Sequence, residues 1–216
     1  KVSPVASTLA SYPLSSRWAA GIGFYVTGGM KAYYEDVSYQ SLVPWATLTP
    51  TVKVDLAITE VALGTAYQLA PGWKVGGAWR VVNVAADFSS ARVLTRGSTP
   101  IGLMNVHFTD LAKTKYNGMR LGVQYQAPDD KWGLGASWRN AVEFTATGDS
   151  ATSLQVVNPA TGGAVNVPVA NGTASINNTL PQQWAVGVYY RENPKLKLLG
   201  EVAWSEYSVN QVLDIN

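Results

Sequence analysis

Two faces of unlike character alternate residue by residue through Tyr116–Phe144, YNGMRLGVQYQAPDDKWGLGASWRNAVEF. Met119, Leu121, Val123 and Tyr125 fall on one face, and Arg120, Gly122 and Gln124 on the other. Beyond Pro128-Asp129-Asp130 the pattern resumes, with Trp132, Leu134, Ala136 and Trp138 set against Gly133, Gly135, Ser137 and Arg139. A period of two means extended strand, because successive side chains leave opposite sides of the pleat. Proline and aspartate between the two runs are turn chemistry. The result is a hairpin with an apolar face ending in rings and a second face of glycine, small residues and isolated arginines. A soluble sheet would show water a face rich in Lys, Glu and Thr. The small, sparsely charged face suits a confined interior, and Tyr125 and Trp132 beside the turn suit a membrane–water interface. These features predict a transmembrane β-hairpin.

The same design recurs. Tyr12-Pro-Leu-Ser-Ser-Arg-Trp18, Tyr67-Gln-Leu-Ala-Pro-Gly-Trp73, Tyr125 to Trp132 and Tyr190-Arg-Glu-Asn-Pro-Lys-Leu196 are four short turns, each with proline. Their tyrosines lie 55, 58 and 65 residues apart, one hairpin plus one long loop. Tyr12, Trp18, Tyr67, Trp73, Tyr125, Trp132 and Tyr190 are thereby expected as one interfacial girdle. Eight strands follow, beginning with Val2–Tyr12 and ending with Leu196–Ser208. Long loops are expected at about 35–52, 89–115 and 148–180, the last with a strand extension at Val165, Val167 and Val169. The expected architecture is all-β: one transmembrane antiparallel up-and-down barrel domain of about eight strands over residues 1–216.

Composition narrows the function. Charged residues make up 14% of the chain, against about 25% in a typical soluble domain. A net charge of +2 is too small to draw nucleic acid. Without cysteine there is no disulfide or thiolate metal site, and no hydrophobic run is long enough for a transmembrane helix. His107 is the single histidine, so no triad or multi-histidine metal site can form around it. No catalytic residue, cofactor or metal set stands out, and an enzyme is not expected. Asn171-Gly-Thr and Asn177-Asn-Thr match a glycosylation signal that arises often by chance.

Two residue sets could carry function. The charges predicted to face inward are Glu60, Arg80, Arg120, Arg139, Glu143, Lys197 and Glu201. They make either a lumenal selectivity ring or a mutually paired polar interior. Within the second long loop, Ile101, Leu103, Met104, Val106, Phe108 and Leu111 approach helical spacing. They predict a short helix, lining a hydrophobic ligand groove or packing over the barrel mouth. The rival fold is a soluble sandwich with the aromatic face as its core.

Ser16-Arg-Trp-Ala-Ala-Gly-Ile-Gly-Phe-Tyr, Ala62-Leu-Gly-Thr-Ala-Tyr-Gln-Leu, Trp132-Gly-Leu-Gly-Ala-Ser-Trp-Arg and Leu180-Pro-Gln-Gln-Trp-Ala-Val-Gly, in that order, resemble the FadL family of outer-membrane proteins. The similarity runs from about residue 8 to 208. It implies a bacterial outer-membrane barrel that passes long-chain fatty acids and other hydrophobic compounds. Ligand would enter a groove among the extracellular loops and leave sideways through a gap in the wall. The family's N-terminal hatch and its last strands have no counterpart before Val2 or after Asp214, so a shortened form is expected. Membrane lipids and a fatty acid or similar ligand are the expected partners. The alternative is a non-transporting envelope protein that forms a lipid-engaging homo-oligomer.

Overall fold

A computed structural model describes residues 6–210 and 214–215. Of the first predicted strand, residues 2–5 lie outside the described part. The strands are β1 (Ser7–Pro13), β2 (Trp18–Tyr34), β3 (Val52–Ala70), β4 (Trp73–Arg96), β5 (Thr99–Gln126) and β6 (Trp132–Arg139). They continue with β7 (Val142–Val157), β8 (Ala164–Val167), β9 (Gly172–Leu180), β10 (Gln183–Asn193), β11 (Leu196–Ser205) and β12 (Asp214–Ile215). One antiparallel wall runs β1-β2-β3-β4-β5-β6-β10-β11. These are the eight strands that the alternation predicts, joined by its four short turns. Among the described residues no ladder joins β11 to β1.

The faces sort as the period requires. Ile22, Leu63, Trp79, Leu121, Leu134, Val186 and Val202 are exposed on the outer side. Near the turns Trp18 packs at a tilt against Tyr67, Trp73 against Tyr125, and Tyr125 against Trp132, with ring centroids 4.7, 4.8 and 5.1 Å apart. Trp73 lies opposite Tyr125, but Tyr125 lies opposite Leu134 rather than Trp132. The ring row therefore steps two residues down β6, as a level girdle must on tilted strands.

On the loop side the prediction needs correction. Residues 35–51 form a loop as expected. The predicted loop at 89–115 is instead a continuation of β4 and β5, which turn at Gly97 with φ of 63°. The predicted helix over Ile101–Leu111 is part of β5. The region predicted as a loop at 148–180 is mostly strand too: β7, β8 and β9, with β8 covering Val165 and Val167 of the predicted extension but not Val169. The physical reason is burial on both sides. One side of this extension packs Val82, Val84 and Ala86 against Leu111, Val142, Phe144 and Ile176. The other is covered by loop 35–51, whose Val43 and Ala46 close over Leu103. Gln155 holds that loop by accepting from the Thr47 and Leu48 amides at 3.0 and 2.8 Å. Both faces are covered, so Leu103 and Met104 are apolar side by side, and a register shift between Thr109 and Ala112 brings Leu111 to the core that Phe108 also meets, which breaks the alternation at either end of Met104–Phe108.

β5 changes partner along its length. Arg120–Gln126 pairs with β6 and Gly102–Ala112 with β7, and between them Lys113–Gly118 has a strand partner only on the β4 side. β7 instead pairs with β9 from Val142 to Ser150. The face that carries Trp138 outward continues into Val142, Phe144 and Ala146, which pack on Val82 and Val84. Those two residues share a face with Glu60 and Ile58 on the lumen side. β7 and β9 therefore bend inward across the mouth of the lumen.

Side chains satisfy the backbone at this split. Asn140 Oδ1 accepts from the Met119 amide at 2.6 Å, and its Nδ2 donates to the Asn117 carbonyl at 3.0 Å. From β4, Trp79 Nε1 donates to the Tyr116 carbonyl. Gly118 sits where a Cβ would come within 2.7 Å of the Arg80 carbonyl, so only glycine allows the strands this close. Replacing Asn140 by alanine strands both backbone partners, at about 1–3 kcal/mol. The expected result is a lower unfolding midpoint in detergent, with Asn140→Asp, which keeps the acceptor, falling between alanine and the parent.

Candidate functional site

Below the inward-bent strands the wall curves around a cavity of about 890 Å³. Its lining is built from small residues on six strands: Ala19 and Gly21, Gly64 and Ala66, Gly76 and Ala78, Gly122, Gly135, and Gly187. These are the small-face positions of the alternation, and their lack of side chain is what leaves the space. Lys74, Arg120 and Glu201 bring charge to the lining.

Between the cavity and the apolar mouth lies a charge lattice. The Glu60 carboxylate is fully buried and joins two arginines, Arg80 Nη2 at 2.8 Å and Arg120 Nη2 at 3.3 Å. Arg80, only 2% exposed, also reaches the carbonyls of Met119 at 3.4 Å and Asn140 at 3.5 Å. It thus ties both lips of the split to Glu60. Arg139 lies directly opposite Arg120 across the β5–β6 ladder, and none of the ion pairs among the described residues includes it. One carboxylate stands against three guanidiniums, and the Nε of Arg80 and of Arg139 is buried without a partner.

The other predicted charges lie elsewhere. Glu143 is exposed, on the β7 face opposite Val142 and Phe144. It is not part of the lattice, because the strand has already turned inward there. Lys197 sits 4.0 Å from the Tyr189 ring centroid, near the turns. The predicted groove is not brought together. Leu103 and Leu111 are fully buried, the first under loop 35–51 and the second in the inner core, while Ile101 is exposed. An extended strand sends residues three apart to opposite faces, so the predicted set cannot all share one. His107 Nε2 meets Asn105 Nδ2 at 2.8 Å within this extension.

At the β5–β6 turn, Asp130 gathers Tyr189 Oη at 3.0 Å, Gln126 Nε2 at 2.8 Å and the Arg191 guanidinium at 3.2 Å. The Tyr189 hydroxyl first, then the Gln126 amide and the Arg191 charge, hold this carboxyl below the usual carboxylate range. The contacts that sequence reading missed, Asn140 and Gln155, are amides; amides carry no motif, and their partners, backbone groups and for Gln155 also the Thr47 and Asn166 side chains, are set by the fold.

Strands with an apolar outer band, ring girdle and small-residue lumen define an outer-membrane β-barrel protein. Among the described residues no helix is long and apolar enough to cross a membrane, and a barrel crosses with strands. The chain belongs to the outer membrane protein transport protein family (OMPP1/FadL/TodX), which matches residues 2–215. Solved structures share the fold. A Pseudomonas aeruginosa FadL homologue is 15% identical with a TM-score of 0.71, covering 97% of this chain and 50% of its own. The toluene transporter TodX of P. putida is 13% identical with a TM-score of 0.72, covering 98% and 62%. A TodX monoaromatic hydrocarbon channel mutant is 16% identical with a TM-score of 0.67, covering 93% and 54%. The chain thus spans about half to three fifths of these relatives. No curated protein matches it.

Two outcomes follow from the charges. Glu60→Gln leaves the buried Arg80 and the partly exposed Arg120 without their counter-ion and is expected to destabilise the wall by about 3–5 kcal/mol, measured by denaturant unfolding in micelles. Asp130 has a depressed folded value, so its stabilising contribution is present above the ordinary carboxylate range and lost as pH falls through that folded value. Amides at the β5–β6 turn should exchange faster only in that acidic window, and Asp130→Asn should abolish the dependence.

Proposed function

We propose that this wall forms part of a channel that binds and passes hydrophobic, lipid-like molecules at the outer membrane. The observation that carries the reading is the cavity of about 890 Å³, walled by glycine and alanine and capped by strands that bend into it. That volume falls among ordinary ligand pockets. Passage would run from the loop side past the bent strands into this space. Exit would be sideways, where β5 lacks a partner over Lys113–Gly118. The excess of positive charge in the lattice, three guanidiniums to one carboxylate, favours a molecule with an acidic head, such as a fatty acid, over a neutral hydrocarbon of the kind the TodX relatives carry.

Filling the space tests this. A Cβ at Gly122 or Gly135 meets nothing closer than 3.6 Å, so these positions tolerate a side chain. Gly122→Phe and Gly135→Phe should fold as the parent does yet cut uptake of a radiolabelled fatty acid by cells at least tenfold. Val186→Phe, on the outer face, should not. Unchanged uptake in both lumen variants would favour the non-transporting, lipid-engaging reading.

A further inference from the structure

The cavity has a built floor. Down β10 its lining runs from Ala185 through Gly187 to Tyr189, and down β6 from Ser137 through Gly135 to Gly133. Tyr189 lies directly opposite Gly133 across the ladder between these strands. Its ring rests on that glycine, so closely that a Cβ on Gly133 would come within 2.4 Å of Tyr189 Cε1. Leu199, opposite Tyr189 on β11, adds an apolar side chain to the lining at the same end.

Polar contacts keep the ring in place. Its hydroxyl donates to Asp130 Oδ1 at 3.0 Å, and the Lys197 ammonium stands 4.0 Å from the ring centroid. Asp130 is fixed in turn by Gln126 and Arg191. The side chain thus reaches from β10 across β6 to the β5–β6 turn. It fills at that level the space that Gly135 and Gly187, the next lining residues above, leave open.

The height of the floor matches one class of molecule. Arg139 of the charge lattice is six residues above Gly133 on β6 and lies opposite Gln183, six above Tyr189 on β10. Six residues span ~20 Å of strand, close to the length of an extended long-chain acyl group. The two ends of the cavity also differ in charge. Three guanidiniums stand against Glu60 at the top, whereas Lys74 and Glu201 in the lower lining offset each other. An acidic head is therefore drawn upward, which sends the tail toward Tyr189.

Resting on the channel reading, we infer that Tyr189 is the stop that sets acyl-chain length. Together with Leu199 it meets the last methylenes of a fatty acid whose carboxylate is held at the lattice. Removing the ring lowers the floor, so an acid too long for the parent gains cover for the end of its tail. Each methylene covered tightens binding about fourfold.

Affinities of decanoate, tetradecanoate and eicosanoate for the micelle-embedded protein are measured by isothermal titration, for the parent, Tyr189→Ala and Tyr189→Phe. The ratio of variant to parent affinity at each length is the quantity read, because partition of the acid into the micelle cancels in it. For Tyr189→Ala the expected ratio is near one with decanoate and tetradecanoate, whose tails end short of the ring, and at least tenfold with eicosanoate. Tyr189→Phe, which keeps the ring on Gly133, should match the parent at every length. Tyr189→Leu takes the place of the alanine variant should that one fail to fold. A ratio for Tyr189→Ala that does not rise with chain length would overturn the stop and leave the channel reading standing. A parent that binds none of these acids would overturn the channel reading and the stop together.

Discussion

Backbone hydrogen bonding is the constraint on which the rest of this wall depends. In hydrocarbon every N–H and C=O must find a partner within the protein, which is why only helices and sheets in barrel form cross a membrane. From β1 to β6 the ladders meet that requirement in the ordinary way. β5 is the exception, because it leaves β6 for β7 with six residues, Lys113 to Gly118, lacking a strand partner on that side. Asn140, Trp79 and Arg80 stand in for the missing strand. The protein can part its wall there because side chains, which can be rearranged singly, have replaced a cooperative ladder.

The buried charges follow from the same point. Arg80 holds both lips of the split, and burying a guanidinium requires a counter-charge. Glu60 supplies it, and Arg120 shares the second carboxylate oxygen. Below this lattice the small residues leave the cavity open. Above it Val142, Phe144 and Ala146 close the mouth. Lumen, lattice and cap are therefore successive levels of one curved sheet rather than separate modules.

The membrane wall was legible because lipid on one side and a narrow lumen on the other impose opposite compositions at alternate positions. Trp132, Leu134 and Trp138 against Gly133, Gly135 and Ser137 leave little choice of structure or of face. Ile101–Leu111 was not legible, because loop 35–51 covers one side and the inner core the other. With both sides covered, Leu103 and Met104 next to each other, and Phe108 and Leu111 brought to one core across a register shift, imitate helical spacing. The inward bend was hidden for a different reason. Trp138, Asn140, Val142 and Phe144 continue one alternation without a break, and alternation records the face of a strand, not which partner it follows. Glu60, Arg80 and Arg120 were recognisable as inward charges, whereas the backbone contacts of Asn140 depend on a register that sequence does not display.

The central claim is that β5 is paired at both ends and open in its middle. Residue-resolved amide exchange of the folded protein in detergent micelles tests it most directly. Between Lys113 and Gly118, amides facing away from β4 should exchange orders of magnitude faster than those of Leu121–Tyr125 and Leu103–Phe108, with Met119 retained by Asn140. Uniform protection along the whole of β5 would contradict the account, since it would mean an unbroken ladder and no split in the wall.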